Sequence, residues 1–117
     1  GLSYSEFEYS NLNTDKEVYN SKSDTIKINF KIKNTSNIDG YETVQLYSSD
    51  LYAQITPDIK RLRDFRKIFL RSGESKSIDF SLPVEKLGYF NLKNKKITEN
   101  GEFKLMIDTL TSLITIN

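Results

Sequence analysis

The chain has 117 residues, with 17 Lys and Arg against 16 Asp and Glu for a formal charge of +1, and neither Cys nor His. The balanced charge leaves no general electrostatic pull toward nucleic acid or an anionic membrane. The missing residue types exclude disulfides, Ser–His–Asp and Cys–His catalysis, and the usual ligands of zinc.

A chain of this length folds as one domain that buries about two-thirds of its unfolded surface, so it needs neither a metal nor a cross-link to hold together. No cofactor is expected. No apolar run approaches the roughly 20 residues of a membrane helix, and the first residues carry no signal-peptide pattern. The absence of Cys fits a reducing compartment or a secreted bacterial protein equally well, which leaves the location open.

Phe7 to Leu12 opens the chain with a strand pattern. The clearest segment is Thr25 to Lys33, where Ile26, Ile28, Phe30 and Ile32 alternate with Lys27, Asn29, Lys31 and Lys33. Side chains on a strand point alternately to opposite faces, so this spacing predicts one buried apolar face and one basic face in water. Asn34-Thr35-Ser36-Asn37 is a polar break, and Asp39-Gly40 supplies a residue tolerant of positive φ. Glu42 to Ser49 follows as a strand, with Val44 and Leu46 on one side and Thr43, Gln45 and Tyr47 on the other.

After Ser49-Asp50 the alternation fades until Arg61, and this stretch, with Pro57 in it, is expected to be a long surface loop. Leu62 to Leu70 regains apolar character through Phe65, Ile68, Phe69 and Leu70 without strict alternation, as an edge strand with a bulge does. Arg71-Ser72-Gly73-Glu74 reads as a turn, and Ser75 to Leu82 alternates again through Ile78, Phe80 and Leu82. Pro83 to Leu87 suits one helical turn, with Pro83 where a missing N–H costs nothing. Tyr89 to Leu92 and then Ile97 resemble a short strand and its return. Phe103, Leu105 and Ile107 alternate with Lys104, Met106 and Asp108, and Leu113 to Ile116 closes the chain.

Seven to nine short strands with turn signals between them predict an all-β fold. Its expected form is a two-sheet antiparallel sandwich of the fibronectin type III or immunoglobulin-like kind. Ile28, Phe30, Val44, Leu46, Phe80, Phe103 and Leu105 are expected to meet between the sheets. The residues available for chemistry are few. Five glycines make no phosphate-cradling loop. Glu42, Asp50, Glu74, Glu99 and Glu102 fall at turns or on solvent faces, where carboxylates are ordinarily just hydrated, and a glycosidase pair would need a cleft around the sugar bond. Tyr47, Tyr52 and Tyr89 suit either a sugar-stacking platform or sheet packing, the latter favoured in a chain without Trp. Asn34-Thr35-Ser36 is an N-glycosylation triplet by pattern, for which chance is the better reading.

Four stretches resemble the C-terminal region of glycoside hydrolase family 3. Gly1-Leu2-Ser3-Tyr4 followed by Phe7 is similar to the junction that ends the family's catalytic region. Lys33-Asn34-Thr35, then Asp39-Gly40-Tyr41-Glu42-Thr43-Val44-Gln45-Leu46-Tyr47 and Asp50, resemble its polar turn, glycine and Glu-x-Val-Gln-Leu-Tyr pattern. Pro57-Asp58-Ile59-Lys60-Arg61-Leu62, Phe65, Leu70 and Gly73-Glu74-Ser75 resemble its Pro-x-Lys-x-Leu, Phe and Leu-x-x-Gly-Glu-Ser series. Leu87-Gly88-Tyr89-Phe90-Asn91 and Gly101-Glu102-Phe103 match its late segments. The chain departs from the pattern at Thr56, where the family commonly has Arg, and at Asp108, where a Gly usually follows the last core strand.

The resemblance implies a junction at residues 1–6 and a fibronectin type III-like domain over 7–117. The parent would be a β-glucosidase-like retaining glycosidase, with its Asp nucleophile and Glu acid/base in preceding domains. No catalytic residue carries over onto this chain. The implied partner is the catalytic region of the same polypeptide, with no role for nucleic acid or membrane and nothing that supports direct carbohydrate binding. The residues expected to make that contact are Leu2, Tyr4 and Phe7 at the start and Tyr52, Thr56, Pro57 and Lys60 in the long loop. For Tyr4 and Phe7, burial in the domain's own core is an equal alternative; for Lys60 and Arg61, a solvated loop charge is the favoured one. The competing reading of the whole chain is an independent adhesion or carbohydrate-binding module, since sandwiches host many unrelated functions.

Overall fold

The structure is a computed structural model that describes residues 6–20, 24–50, 60–87, 89–90, 96–97 and 101–116. Its strands are β1 (Phe7–Thr14), β2 (Val18–Tyr19), β3 (Thr25–Asn34), β4 (Gly40–Asp50), β5 (Arg61–Leu70), β6 (Ser75–Pro83), β7 (Tyr89–Phe90), β8 (Lys96–Ile97), β9 (Gly101–Ile107) and β10 (Leu110–Ile116). A single turn of 3-10 helix, Val84–Leu87, follows β6 where one helical turn is expected. One sheet has the order β1-β3-β6 and the facing sheet has the order β2-β10-β9-β4-β5. β7 and β8 form a separate ladder.

The alternation read from the sequence sets the core. Ile26, Ile28, Phe30 and Ile32 of β3 are buried together with Ile78, Phe80 and Leu82 of β6. From the other sheet come Val44, Leu46, Phe103, Leu105, Ile107, Ile114 and Ile116. All seven residues expected between the sheets are buried, none more than 3% exposed. Each such side chain is worth about 1.5–3 kcal/mol when removed from water. Tyr9, Phe30 and Phe80 stack in a row across the three-stranded sheet, with centroids 5.8 and 6.2 Å apart. The Arg66 guanidinium lies 5.2 Å over the Phe80 ring at the sandwich margin.

The irregular points have local causes. β1 shifts register against β3 between Ser10 and Asn13, and Asn11 takes φ 57° there, a left-handed conformation that Asn tolerates better than most residues. β5 is an edge strand, and its register slips opposite Leu46 and Tyr47 so that Arg63 is the additional residue. The expected edge strand with a bulge is therefore present. Arg63 turns this to use: Nε donates to Ser48 Oγ at 2.7 Å and Nη1 to the Lys86 carbonyl at 2.8 Å. Burial, with Arg61 nearby, holds its pKa below the ordinary arginine value. Gly73 adopts φ 76° with open space around its α-carbon, so conformation rather than crowding requires glycine.

Three features differ from expectation. β2 pairs with β10 in parallel, so the five-stranded sheet is not wholly antiparallel. A pair of residues is too short to show a period, and only the tertiary contact defines it. β1 runs on to Thr14 past its bulge, and β10 begins at Leu110, where Ile107 pairs with Leu110 around Asp108-Thr109. Asp108 stands at φ 54°, in the position where the family commonly has Gly.

Between β1 and β2 the chain crosses from one sheet to the other, and Tyr19 fixes the crossing. Its ring is buried, and its hydroxyl donates to Asp15 Oδ1 at 2.6 Å while accepting from the Lys16 amide at 3.0 Å. The bond from Tyr19 pulls the Asp15 carboxyl below its usual pKa. Burial, then the bond to Asp15, pushes the Tyr19 hydroxyl up to about 12.

Candidate contact surface

Asn34 ties the start of the domain to both sheets. It is fully buried at the end of β3, and Phe7 pairs opposite it. Its Nδ2 donates to the carbonyls of Ile38 at 2.8 Å and Leu70 at 3.0 Å. Its Oδ1 accepts from the amide and hydroxyl of Ser36 at 2.9 and 2.6 Å. Both halves of the side-chain amide are thereby engaged, so the Asn34-Thr35-Ser36 triplet offers no free nitrogen for a glycan in the folded chain. Next to it the Glu6 carbonyl accepts from the Thr35 amide at 2.9 Å. The chain thus joins the sandwich at the end where β4 begins and β5 finishes.

Of the residues expected to contact a neighbour, Leu2, Tyr4, Tyr52, Thr56 and Pro57 lie outside the described residues. Phe7 is half-buried and packs against the domain's own core. Lys60 is exposed just before β5. These two do not form one patch.

A different patch is brought together on the outer face of the five-stranded sheet. Tyr41 pairs with Phe69, Thr43 with Lys67 and Gln45 with Phe65, all on the face away from the core. Tyr41 is 64% exposed, Phe65 63%, Leu62 48% and Phe69 39%. The Tyr41 and Phe69 rings meet at 5.0 Å with their planes tilted by 54°, and the Lys67 ammonium sits 4.8 Å from the Tyr41 centroid. Water meets the aromatic surface that a sandwich normally hides. The signal was present in the sequence: Phe65 and Phe69 have the opposite parity to Ile68 and Leu70, so β5 is apolar on both faces. Such a strand reads as irregular until both faces are counted.

β5 is also basic, with Arg61, Arg63, Arg66 and Lys67 against Asp64. Among the described residues the ion pair within 4.0 Å joins Lys16 to Asp24, and Arg61, Arg66 and Lys67 have no carboxylate that close.

The carboxylates considered for catalysis do other work. Glu42, expected on a solvent face, shares the inward parity of Val44 and Leu46 and accepts from the Tyr9 hydroxyl at 2.8 Å, linking the two sheets. Burial, then the Glu42 bond, raises the Tyr9 pKa well above the ordinary value. Glu74 accepts from the Arg71 amide at 2.8 Å and closes the β5–β6 turn. Glu102 is exposed, and the side chains of Asp50 and Glu99 lie outside the described residues. Tyr47 is half-buried with its hydroxyl 3.3 Å from Gln45 Oε1, while the side chains of Tyr52 and Tyr89 lie outside the described residues.

Residues 42–110 match the family described as the fibronectin type III-like domain. The chain belongs to that family. Its relatives are glycosidases. A thermostable β-glucosidase B of Acetivibrio thermocellus is 38% identical over 92% of this chain and 14% of its own length. A β-glucosidase of Bacteroides ovatus is 34% identical over 96% of this chain and 15% of its own. A β-xylosidase of Formosa agariphila is 33% identical over 92% and 15%. Among solved structures, the β-glucosidase of Listeria innocua in complex with gluconolactone superposes with a TM-score of 0.86 at 30% identity, over 100% of this chain and 17% of that one. The fibronectin type III-like chain thus spans about 14% of the length of the curated relatives it matches.

Proposed function

We propose that this chain is the non-catalytic C-terminal accessory domain of a β-glucosidase-like family 3 glycoside hydrolase, acting by contact with the catalytic region of the same polypeptide. The observation that carries the reading is coverage: glycosidases about seven times as long are similar to this chain across nearly all of it and nowhere near all of themselves. The domain supplies a rigid body that holds its neighbour's loops and adds interface stability. Residues 1–6 serve as the junction, where Leu2 and Tyr4 add contacts, and the loop carrying Tyr52, Thr56, Pro57 and Lys60 adds others elsewhere on the domain.

The test pairs the chain with the longer polypeptide on aryl β-glucosides and β-xylosides. Turnover by the longer polypeptide and none by the chain alone is the expected result. Turnover by the chain alone overturns the non-catalytic assignment. Tight oligosaccharide binding by the chain alone, with no glycosidase in the longer polypeptide, replaces it with the independent binding module.

A further inference from the structure

We infer that the outer face of β4 and β5, centred on Tyr41, Phe65 and Phe69, is the surface that seats against the preceding part of the same polypeptide, on an apolar site with an acidic group opposite Lys67. The inference rests on the accessory-domain reading and adds to it a specific face.

Exposed aromatic side chains in a contiguous patch mark an interaction surface. Aromatic residues and Arg are the types enriched where proteins meet. Phe65 and Tyr41 are the most exposed large apolar residues among those described. Their neighbours Leu62 and Phe69 extend the patch along β5.

Geometry selects the occupant. Glu6 bonds to Thr35, Phe7 pairs with Asn34, and Asn34 bonds to the last carbonyl of β5. Gly40, beside Tyr41, pairs with that same Leu70. The chain preceding Glu6 therefore leaves from the end of the sandwich that carries Tyr41 and Phe69, and a linked body meets this face at high effective concentration.

Charge points the same way. Lys67, opposite Thr43 on this face, lacks a carboxylate partner within 4.0 Å among the described residues. A second copy set face to face would bring two Lys67 ammoniums into one interface with no carboxylate paired to either, which costs affinity. A sugar face spanning both rings would need them near one plane, and the Tyr41 and Phe69 planes differ by 54°. A complementary surface therefore offers apolar hollows for the rings and a carboxylate for Lys67.

Hydrogen exchange on the longer polypeptide and on this chain alone tests the assignment. The β5 amides 61–69 that do not bond β4 should exchange about tenfold or more slowly in the longer polypeptide. Phe65→Ser should abolish that protection and lower the longer polypeptide's melting temperature, while leaving the melting of the chain alone unchanged. Lys67→Glu, which tests the charge without touching packing, should give a smaller loss that shrinks in high salt. Equal β5 exchange in both proteins, in a longer polypeptide that does hydrolyse glycosides, overturns the face while leaving the accessory-domain reading intact. Dimerisation of the chain alone that Phe65→Ser abolishes overturns it in favour of a second copy. Oligosaccharide binding that the same substitution abolishes overturns it in favour of a sugar platform.

Discussion

Replacing Asn34 with Asp removes one donor group and changes almost no volume. In the native chain Nδ2 supplies hydrogens to Ile38 O at 2.8 Å and Leu70 O at 3.0 Å, inside a fully buried site. The Asp side chain keeps the acceptor that Ser36 uses but turns a second oxygen toward two carbonyl oxygens. Each buried acceptor left without its donor costs about 1–3 kcal/mol, and an unpaired charge adds to that, so Asn34→Asp should lose about 3–6 kcal/mol at pH 7. Domains of this kind have about 5–15 kcal/mol in total. With a urea slope of about 1–2 kcal/mol/M, the unfolding midpoint should fall by about 1.5 M or more.

Acid should restore part of the loss. In the Asn34→Asp variant the new carboxyl titrates near 3.9 when the chain is unfolded and higher when it is folded, because only the protonated form can donate again. The variant's stability is therefore greatest at low pH and falls as pH rises from about 3.9 through the folded pKa. Asn34→Ala, which strands the same carbonyls without a charge, should be the milder change at pH 7. An Asn34→Asp variant within about 0.5 kcal/mol of the native chain, or one more stable than Asn34→Ala, would refute the argument.

Phe30→Ala should cost about 3–5 kcal/mol by thermal or urea unfolding, since it empties the middle of the Tyr9–Phe30–Phe80 row; an unshifted melt contradicts that packing. Tyr9 and Tyr19 both have raised hydroxyl pKa values, so the unfolded chain loses these protons near pH 10 while the folded chain keeps them. Stability should accordingly hold below about pH 10 and fall as pH rises beyond it, less steeply in Tyr9→Phe and Tyr19→Phe; a flat profile to pH 11 speaks against it. Asp108→Gly should leave stability level or raise it by up to about 1 kcal/mol, whereas Asp108→Val should lose about 1–3 kcal/mol at the same left-handed φ. Equal denaturation midpoints for those two variants would show that the turn does not depend on backbone conformation.

The core was legible because strand periodicity is a local property: Ile26 to Ile32 and Phe103 to Ile107 each declare a buried face within a few residues. The edge character of β5 was legible for the same reason, through the break in its alternation. What could not be read depends on contacts far along the chain. Glu42 sits among polar and aromatic residues in sequence, and only its place opposite Tyr9 on the other sheet makes it a bridging acceptor. Asn34 resembles an ordinary turn residue until Leu70 arrives across the sandwich. The contact surface divides similarly. Lys60 is as exposed as a loop cation should be, Phe7 is drawn toward its own core, and the aromatic patch is masked in the sequence because β5 carries apolar residues on both faces and so reads as irregular.

The two-residue parallel pairing of β2 with β10 also bears on the order in which the domain can be completed. Val18 and Tyr19 have no strand partner other than Thr115 and Ile116 among the described residues. As the chain leaves the ribosome from its N-terminus, β1, β3 and β6 can assemble a sheet while β2 waits for nearly a hundred further residues to be synthesised, about 5–20 s at ordinary elongation rates. Closure of the five-stranded sheet therefore waits for β10, and a message cut short before Thr115 would release a chain whose β2 has no strand to pair with, its crossing held only by the bonds of Tyr19 and Asp15.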